Sequence, residues 1–275
     1  MLAPGSTFAG YEIESVVGVG GIGILYRARQ LRLDRPVALK LVEPEKASDP
    51  VIRERLRREA RAVAALDHPN VVPLYEAGEQ DGMVFIATRW VEGMELGALI
   101  DREGPMEAMR AARTAAQIAA ALEVAHEKDL VHRDVKPSNV ILTPEDHVYL
   151  TDFALVKRAG TAAGLTAVDQ MLGTVDYVAP EQIEGGQSDA RGDMYSLGCV
   201  LYEMLAGEAP FAGERGGMAK MWAHVNADPP PLRERRSDVP EALEEAARLA
   251  TAKEPEKRPT AKVFRKALLK VTGDR

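Results

Sequence analysis

The stretch VVGVGGIGILYRARQLRLDRPVALK, residues 16–40, sets Gly18, Gly20, Gly21 and Gly23 among β-branched and aliphatic residues. Ordered glycine costs chain entropy. A tight turn manages with one or two, so this density implies that something large and charged comes close to the main chain. The spacing Gly18, Gly20, Gly23 reads G-x-G-x-x-G. It fits a dinucleotide-binding turn, a loop over a triphosphate, or a plain hairpin tip. A dinucleotide turn must open a helix whose N-terminus takes the pyrophosphate. Here the residues after Gly23 read as strand, pass the polar turn LRLDR and resume as a second strand in PVALKLVE. The dinucleotide reading fails on that context. Both hairpin readings stay open.

Working outward, the chain has 275 residues, room for one large domain or two lobes with ample core. Hydrophobic residues make up 46% and charged residues 28%, with signs mixed, which argues against wholesale disorder. The net charge of −7 excludes a broad nucleic-acid or anionic-membrane footprint. The single cysteine, Cys199, lies in the apolar run MYSLGCVLYEML and reads as a buried, reduced core residue, so a cytoplasmic compartment is expected. The histidines show no metal-ligand spacing. No apolar run is long enough for a membrane span, and MLAPGSTFAGYEIE lacks the pattern of a signal peptide. The segment is therefore expected to be soluble, standing alone or as the cytosolic domain of a longer membrane-anchored receptor.

The N-terminal third reads as antiparallel sheet plus one helix. YEIESVVG alternates, and VVPLYEAGEQ and MVFIATRWVEG flank an Asp81-Gly82 turn. Residues 50–67 carry apolar side chains at 52, 56, 63 and 66, an amphipathic helix. After Gly93 the character changes. MEAMRAARTAAQIAAALEVAHEKD predicts a long Ala-rich helix, followed by short strands at 140–142 and 148–151. Residues 158–174 read as a loop, and further helices are expected at 190–206, 216–227, 240–251 and 260–271. The simplest organisation is two lobes with a hinge near 89–93.

Certain side chains ask for chemistry. The alternation of PVALKLV puts Lys40 on one strand face with Ala38 and Val42, where burying an amine is costly unless it is paired. Glu59 falls in line with the apolar stripe of its helix, where an acid needs a cation. Lys40 and Glu59 would satisfy each other; a surface lysine and a solvated acid are the plain alternatives. In LVHRDVKPSNVIL, residues 130–142, Asp134, Lys136 and Asn139 lie between apolar runs in a loop pinned by Pro137. Phosphoryl transfer needs such groups: an acid to orient a hydroxyl and take its proton, a lysine to offset phosphoryl charge, and a neutral amide oxygen for a divalent ion. Asp152, in YLTDFALVK, adds the carboxylate oxygen that magnesium favours.

With these motifs in place, the chain resembles the eukaryotic-type protein serine/threonine kinases, and among them the bacterial ones. GVGGIGILY, VALK, Glu59, HRDVKPSN, DFA, GTVDYVAPEQ, DMYSLGCVLYEML and PEKRPTA follow in that family's order over about residues 11–270. The resemblance implies an α+β, bilobal protein-kinase-like fold: one kinase domain over 1–275, with an N-lobe at about 8–89, a hinge at 89–93 and a mainly helical C-lobe at 94–271. It implies an ATP-dependent kinase with Mg2+ or Mn2+ that phosphorylates protein serine and threonine hydroxyls and its own activation loop. By that likeness the stretch Val17, Gly18, Val19, Gly20, Gly21, Ile22, Gly23 and Leu25 would cover the nucleotide, with Val17, Leu25 and Ala38 roofing the adenine and Leu142 as its floor. Thr88 would stand at the back of the pocket, and the hinge would run from Arg89 to Val91. Lys40, held by Glu59, would contact the phosphates. Asp134 would be the base, Lys136 would touch the moving phosphoryl, and Asn139 and Asp152 would bind metal.

The resemblance also makes the segment between Asp152 and Glu181 an activation loop, with Thr166 and Thr161 as phosphorylation candidates that Arg133 could pair with. Thr174 would bond the catalytic aspartate, Asp193 would brace the catalytic loop, and Glu181 would pair with Arg258. The sequence departs from the family pattern at Ala154, which replaces a glycine and bears on switching, at Leu25, which replaces a valine, and at Arg89, where a glutamate is frequent. The partners expected are ATP and protein substrates, with a homodimer left open, and no nucleic acid or membrane contact by this segment. Two rivals remain: a pseudokinase that senses nucleotide or scaffolds, and a small-molecule phosphotransferase, which GTVDYVAPEQ disfavours.

Overall fold

The computed structural model describes residues 1–20, 23–42, 59–153, 175–186 and 189–274. They form two compact units. The first holds Met1–Asp67 and Val72–Glu92; the second holds His68–Val71 and the described residues from Gly93 onward.

The first unit is a six-stranded sheet: β1 (Thr7–Phe8), β2 (Tyr11–Gly20), β3 (Gly23–Gln30), β4 (Arg35–Val42), β5 (Leu74–Gln80) and β6 (Met83–Arg89). Its order is β1-β2-β3-β4-β6-β5, with every neighbouring pair antiparallel. Alternation decides the core. Tyr11 and Ile13, Tyr26 and Ala28, Val37, Leu39 and Leu41, and Phe85 and Ala87 point to one face and pack into a cluster with Phe8. The edge strand β1, two residues long, is too short to show in the sequence pattern. Asp81 and Gly82 both adopt positive φ, which turns β5 into β6 as the sequence suggests. Helix α1 is described over 59–64, and the first half of its predicted stripe lies outside the described residues. Val63 and Leu66, from the second half, are buried.

The second unit is mainly helical: α2 (Leu96–Glu103), α3 (Ala108–His126), α4 (Pro180–Ile183), α5 (Ala190–Ala206), α6 (Gly217–Asn226), α7 (Leu232–Arg235), α8 (Glu241–Ala250) and α9 (Ala261–Thr272). A small antiparallel sheet joins β7 (Met94–Glu95), β8 (Val140–Leu142) and β9 (Val148–Leu150). The long helix is predicted over 106–129. It starts later because the Glu107 carboxylate accepts from the Met109 and Arg110 amides, making Glu107 the N-cap. It ends earlier because Asp129 takes positive φ. The run 158–174 lies outside the described residues. Helices α2, α4 and α7 were not read from sequence; α2 carries its apolar face in only eight residues.

Helix α5 is buried almost all round, as its apolar composition demands. A Cβ on Gly198 would come within 2.7 Å of the Ala250 Cβ, so glycine is what lets α8 lie this close. Cys199 is fully buried in α5, and burial pushes its thiol well above the usual range. Alanines along α3 form the seam against α5 and α9. The short stretch before β5 joins this unit through Asn70, whose side-chain amide donates to the Val148 carbonyl at 2.9 Å and to Gln117 at 3.0 Å.

Candidate active site

In the first unit the site residues share the sheet face opposite the core. The register sets Leu25 against Lys40 and Lys40 against Ile86. The next row runs Arg27, Ala38, Thr88. These residues are therefore brought together by strand pairing alone. Lys40 is part-buried. Both Glu59 carboxylate oxygens are shielded from solvent. Val17 falls at a register shift in the β2–β3 pair and is exposed, as is Val19. Arg89 ends β6 on the surface, and Val91 follows it in irregular backbone.

The glycines separate into two kinds. A Cβ on Gly23 would lie 1.9 Å from the Leu41 carbonyl oxygen, so packing excludes any other residue there. A Cβ on Gly18 would meet nothing within 4 Å, and one on Gly20 would meet only the Gly23 carbonyl oxygen at 3.9 Å. Nothing inside the described structure requires glycine at 18 or 20. Gly21 and Ile22 lie outside the described residues.

In the second unit, the loop before β8 is tied to α5. The buried Asp193 carboxylate accepts from the His132 amide at 2.8 Å and from the Arg133 amide at 2.6 Å, and His126 Nε2 lies 2.8 Å away. Arg133 is held at φ 63°, a left-handed conformation that costs a side-chain-bearing residue about 1–2 kcal/mol. His132 is fully buried. Its Nε2 lies 2.8 Å from the Thr151 carbonyl, and its ring packs against Phe153 at 4.5 Å. Burial holds this imidazole below its ordinary pKa.

The tethered loop then presents Asp134. Lys136 Nζ lies 3.0 Å from Asp134 Oδ2. The Asn139 side-chain amide donates to the Asp134 carbonyl at 2.7 Å and to its carboxylate at 3.2 Å. With its nitrogen so engaged, Asn139 offers its amide oxygen for other work. The Thr151 amide donates to the Asn139 carbonyl at 2.9 Å, so Asp152 follows directly from a residue bonded to Asn139. Asp152 too has positive φ, 54°. An amide oxygen and a carboxylate are hard oxygen donors that suit Mg2+ or Mn2+. Leu142 sits in β8 between Met94 and Val148, and a Cβ on Gly93 would strike its carbonyl oxygen at 2.4 Å.

Further along, Arg258 is fully buried. It forks the Glu181 carboxylate at 2.8 and 2.9 Å and donates to the carbonyls of Ala252, Arg191 and Lys253. Ala154, Thr161, Thr166 and Thr174 lie outside the described residues. The sequence reading missed Glu95. Its carboxyl is raised above the usual range by burial and by nearby Asp152, with Lys136 acting the other way, which puts it among the site's charges. A lone acid in an unpredicted two-residue strand gave no signal. Glu203 was missed as well: it accepts from the Tyr177 hydroxyl at 2.6 Å, and burial with Asp176 and Asp101 pushes it up to about 7 despite that bond.

A lysine-bearing sheet face in one unit, and in the other an Asp-Lys-Asn loop braced by a helix acid, are groups of the kinds that phosphoryl transfer calls for. The profile of the protein kinase domain matches residues 11–268, and the chain belongs to that family. Two bacterial relatives illustrate the likeness. It is 39% identical to the serine/threonine-protein kinase PknE of Mycobacterium tuberculosis over 92% of this chain and 44% of that protein. It is 38% identical to the serine/threonine-protein kinase PknB of Mycolicibacterium smegmatis over 95% of this chain and 43% of that protein. The chain thus spans less than half the length of these relatives. Among solved structures it resembles the kinase domain of Mycobacterium tuberculosis PknI, with a TM-score of 0.79, 29% identity and coverage of 99% of this chain and 100% of that one. Among the described residues no helix is long and apolar enough to cross a membrane.

Proposed function

We propose that this chain transfers the γ-phosphoryl group of ATP to serine or threonine hydroxyls of proteins, its own activation segment included. The observation that carries this is the Asp134–Lys136–Asn139 cluster on a loop strung from Asp193. Asp134 orients the acceptor hydroxyl and takes its proton as the oxygen attacks the γ-phosphorus; the bond to the bridging oxygen breaks and ADP leaves. Lys136 offsets charge on the moving phosphoryl. Lys40, held by Glu59, anchors the α- and β-phosphates, and Val17, Leu25 and Ala38 lie over the adenine. Asn139 and Asp152 would hold a divalent ion, which when bound neutralises phosphate charge. The whole of 1–275 acts as one kinase domain, hinged at 89–93. The greater length of its relatives fits a cytosolic domain of a larger receptor.

A pseudokinase is disfavoured because Lys40, Glu59, Asp134, Asn139 and Asp152 are all present. Transfer of radiolabelled phosphate from Mg-ATP to a generic basic protein tests the reading. Transfer is expected from the wild type and its loss from Asp134→Asn; nucleotide binding without transfer by the wild type sinks it. Mass spectrometry after incubation with Mg-ATP should find phosphate on Thr166 or Thr161.

A further inference from the structure

Arg27 stands two residues beyond Leu25 on the face that carries Lys40, directly opposite Ala38. Its guanidinium lies over the Trp90 ring, 5.0 Å from the centroid. Its Nη2 is 3.6 Å from Glu92 Oε1, and its Nε donates to Glu14 Oε2 at 2.9 Å. Trp90 Nε1 donates to the same Glu92 oxygen at 2.9 Å. Residues 90–92 lie past the end of β6, in no strand or helix. Arginine, indole and carboxylate therefore close a ring that fastens this irregular segment to β3, and Glu14 of β2 fixes the arginine from the other side.

We propose that Arg27 is a positioning residue for the nucleotide: by clasping Trp90 and Glu92 it sets the main chain of 89–92 at the height from which it reads the adenine edge. This rests on the nucleotide reading of the Lys40 face given above. A guanidinium suits the task better than an ammonium, because its flat face stacks on the indole while its edge bonds one carboxylate and pairs with a second. Both ion pairs are exposed, Glu92 more so than Glu14, and individually weak, so the clasp tunes affinity and does not hold the fold together. The expected effect is a few-fold in nucleotide binding, with no effect on the chemical step.

The test measures the Kd of a fluorescent ADP analogue, the KM for ATP and kcat. The proteins are the wild type, Arg27→Met, Arg27→Lys, Trp90→Phe and Glu92→Gln. Arg27→Met should weaken ADP about fivefold and raise the KM for ATP in step, as loss of one stacked, ion-paired contact implies. Its kcat at saturating ATP and its KM for a protein substrate should stay within twofold, and its preference for ATP over GTP should narrow. Arg27→Lys and Trp90→Phe should fall between, since each keeps part of the clasp. In a Trp222→Phe background Trp90 is the sole tryptophan, and its emission should change on Arg27→Met without nucleotide. Unchanged ADP affinity in Arg27→Met, with the wild type binding, overturns this inference alone. So does a joint fall of ADP affinity, kcat and melting temperature, which marks a merely structural arginine. Failure of the wild type to bind ADP overturns the function reading, and this proposal with it.

Discussion

In the sheet, Leu25, Lys40 and Ile86 stand in one row because three strands keep register, and the site face is the back of a core face. In the helical unit, Asp134, Lys136 and Asn139 sit on a loop with no ladder to place them. That loop is positioned by ties to the rest of the unit: Asp193 of α5 holds two of its consecutive amides, and its own His132 lies against the Thr151 carbonyl. Register is collective and survives the loss of any one side chain. A tether is local, and it fails when its single acceptor goes. Substitutions in the helical unit should therefore be costly at polar positions, and in the sheet at positions of close backbone approach.

The largest effect on stability is expected at Arg258. Its removal leaves Glu181 without its cation and strands three carbonyls, and breaking a buried pair from one side costs about 3–5 kcal/mol. Urea denaturation of Arg258→Met should show that loss; a change below ~1 kcal/mol would mean the helical unit is not held by its polar ties. The counterpart in the sheet is Gly23→Ala. The methyl must displace the Leu41 carbonyl, and overpacking against backbone costs about 3 kcal/mol. If that variant folds at wild-type stability, β3 and β4 are not in the close contact described.

Next comes Asp193→Asn. The amide keeps one acceptor but turns an NH2 towards a buried N–H, a loss of about 2 kcal/mol. Kinase activity should fall far more than stability, because the strained Arg133 backbone loses what holds it at positive φ. Equal proportional losses would remove the tether from the account.

Much of this contrast was legible beforehand, though unevenly. The sheet's period-2 pattern placed Lys40 on one face with Ala38 and Val42, because alternation is written residue by residue; which face carries the core comes only from the packed structure. The polar cluster of HRDVKPSN could be picked out as a candidate site from its residue types, but its support could not. Asp193 was named only through family likeness, and His126 and the Thr151 carbonyl enter through contacts distant in sequence. Glu95 and Glu203 went unread for the same reason: each is defined by what the fold packs around it, and neither lies in a periodic pattern that marks an acid.

Glu203 allows a gentler test of the helical unit. Its carboxyl is raised from an ordinary 4.5 to about 7, mainly by burial and then by Asp176 and Asp101. The folded state therefore binds a proton between about pH 4.5 and 7 that the unfolded state releases. Stability should fall as pH rises through this window, with the penalty complete above 7. A swing of about 1–2 kcal/mol is expected after allowance for partial solvation. Glu203→Gln keeps an acceptor for Tyr177 and should flatten the profile, read as melting temperature against pH. A wild-type profile that rises from pH 5 to 7, once other groups are matched by the variant, would contradict the burial argument.

The smallest change in stability is expected at Gly20, and it bears most directly on why the glycines are there. A Cβ at Gly20 has open space around it, and valine suits a strand. Gly20→Val should therefore shift stability by less than about 0.5 kcal/mol, since its Cβ would meet only the Gly23 carbonyl oxygen, at an ordinary 3.9 Å, and glycine's extra chain entropy is removed. If the backbone from Gly18 to Gly23 closes over phosphates, however, the isopropyl group stands where a triphosphate must pass, and the KM for ATP should rise at least about tenfold. Gly23→Ala and Gly20→Val then report opposite losses from residues three positions apart: one breaks the hairpin and the other breaks its use. If Gly20→Val leaves ATP use intact, or lowers fold and activity together, the glycines at both positions serve only the turn.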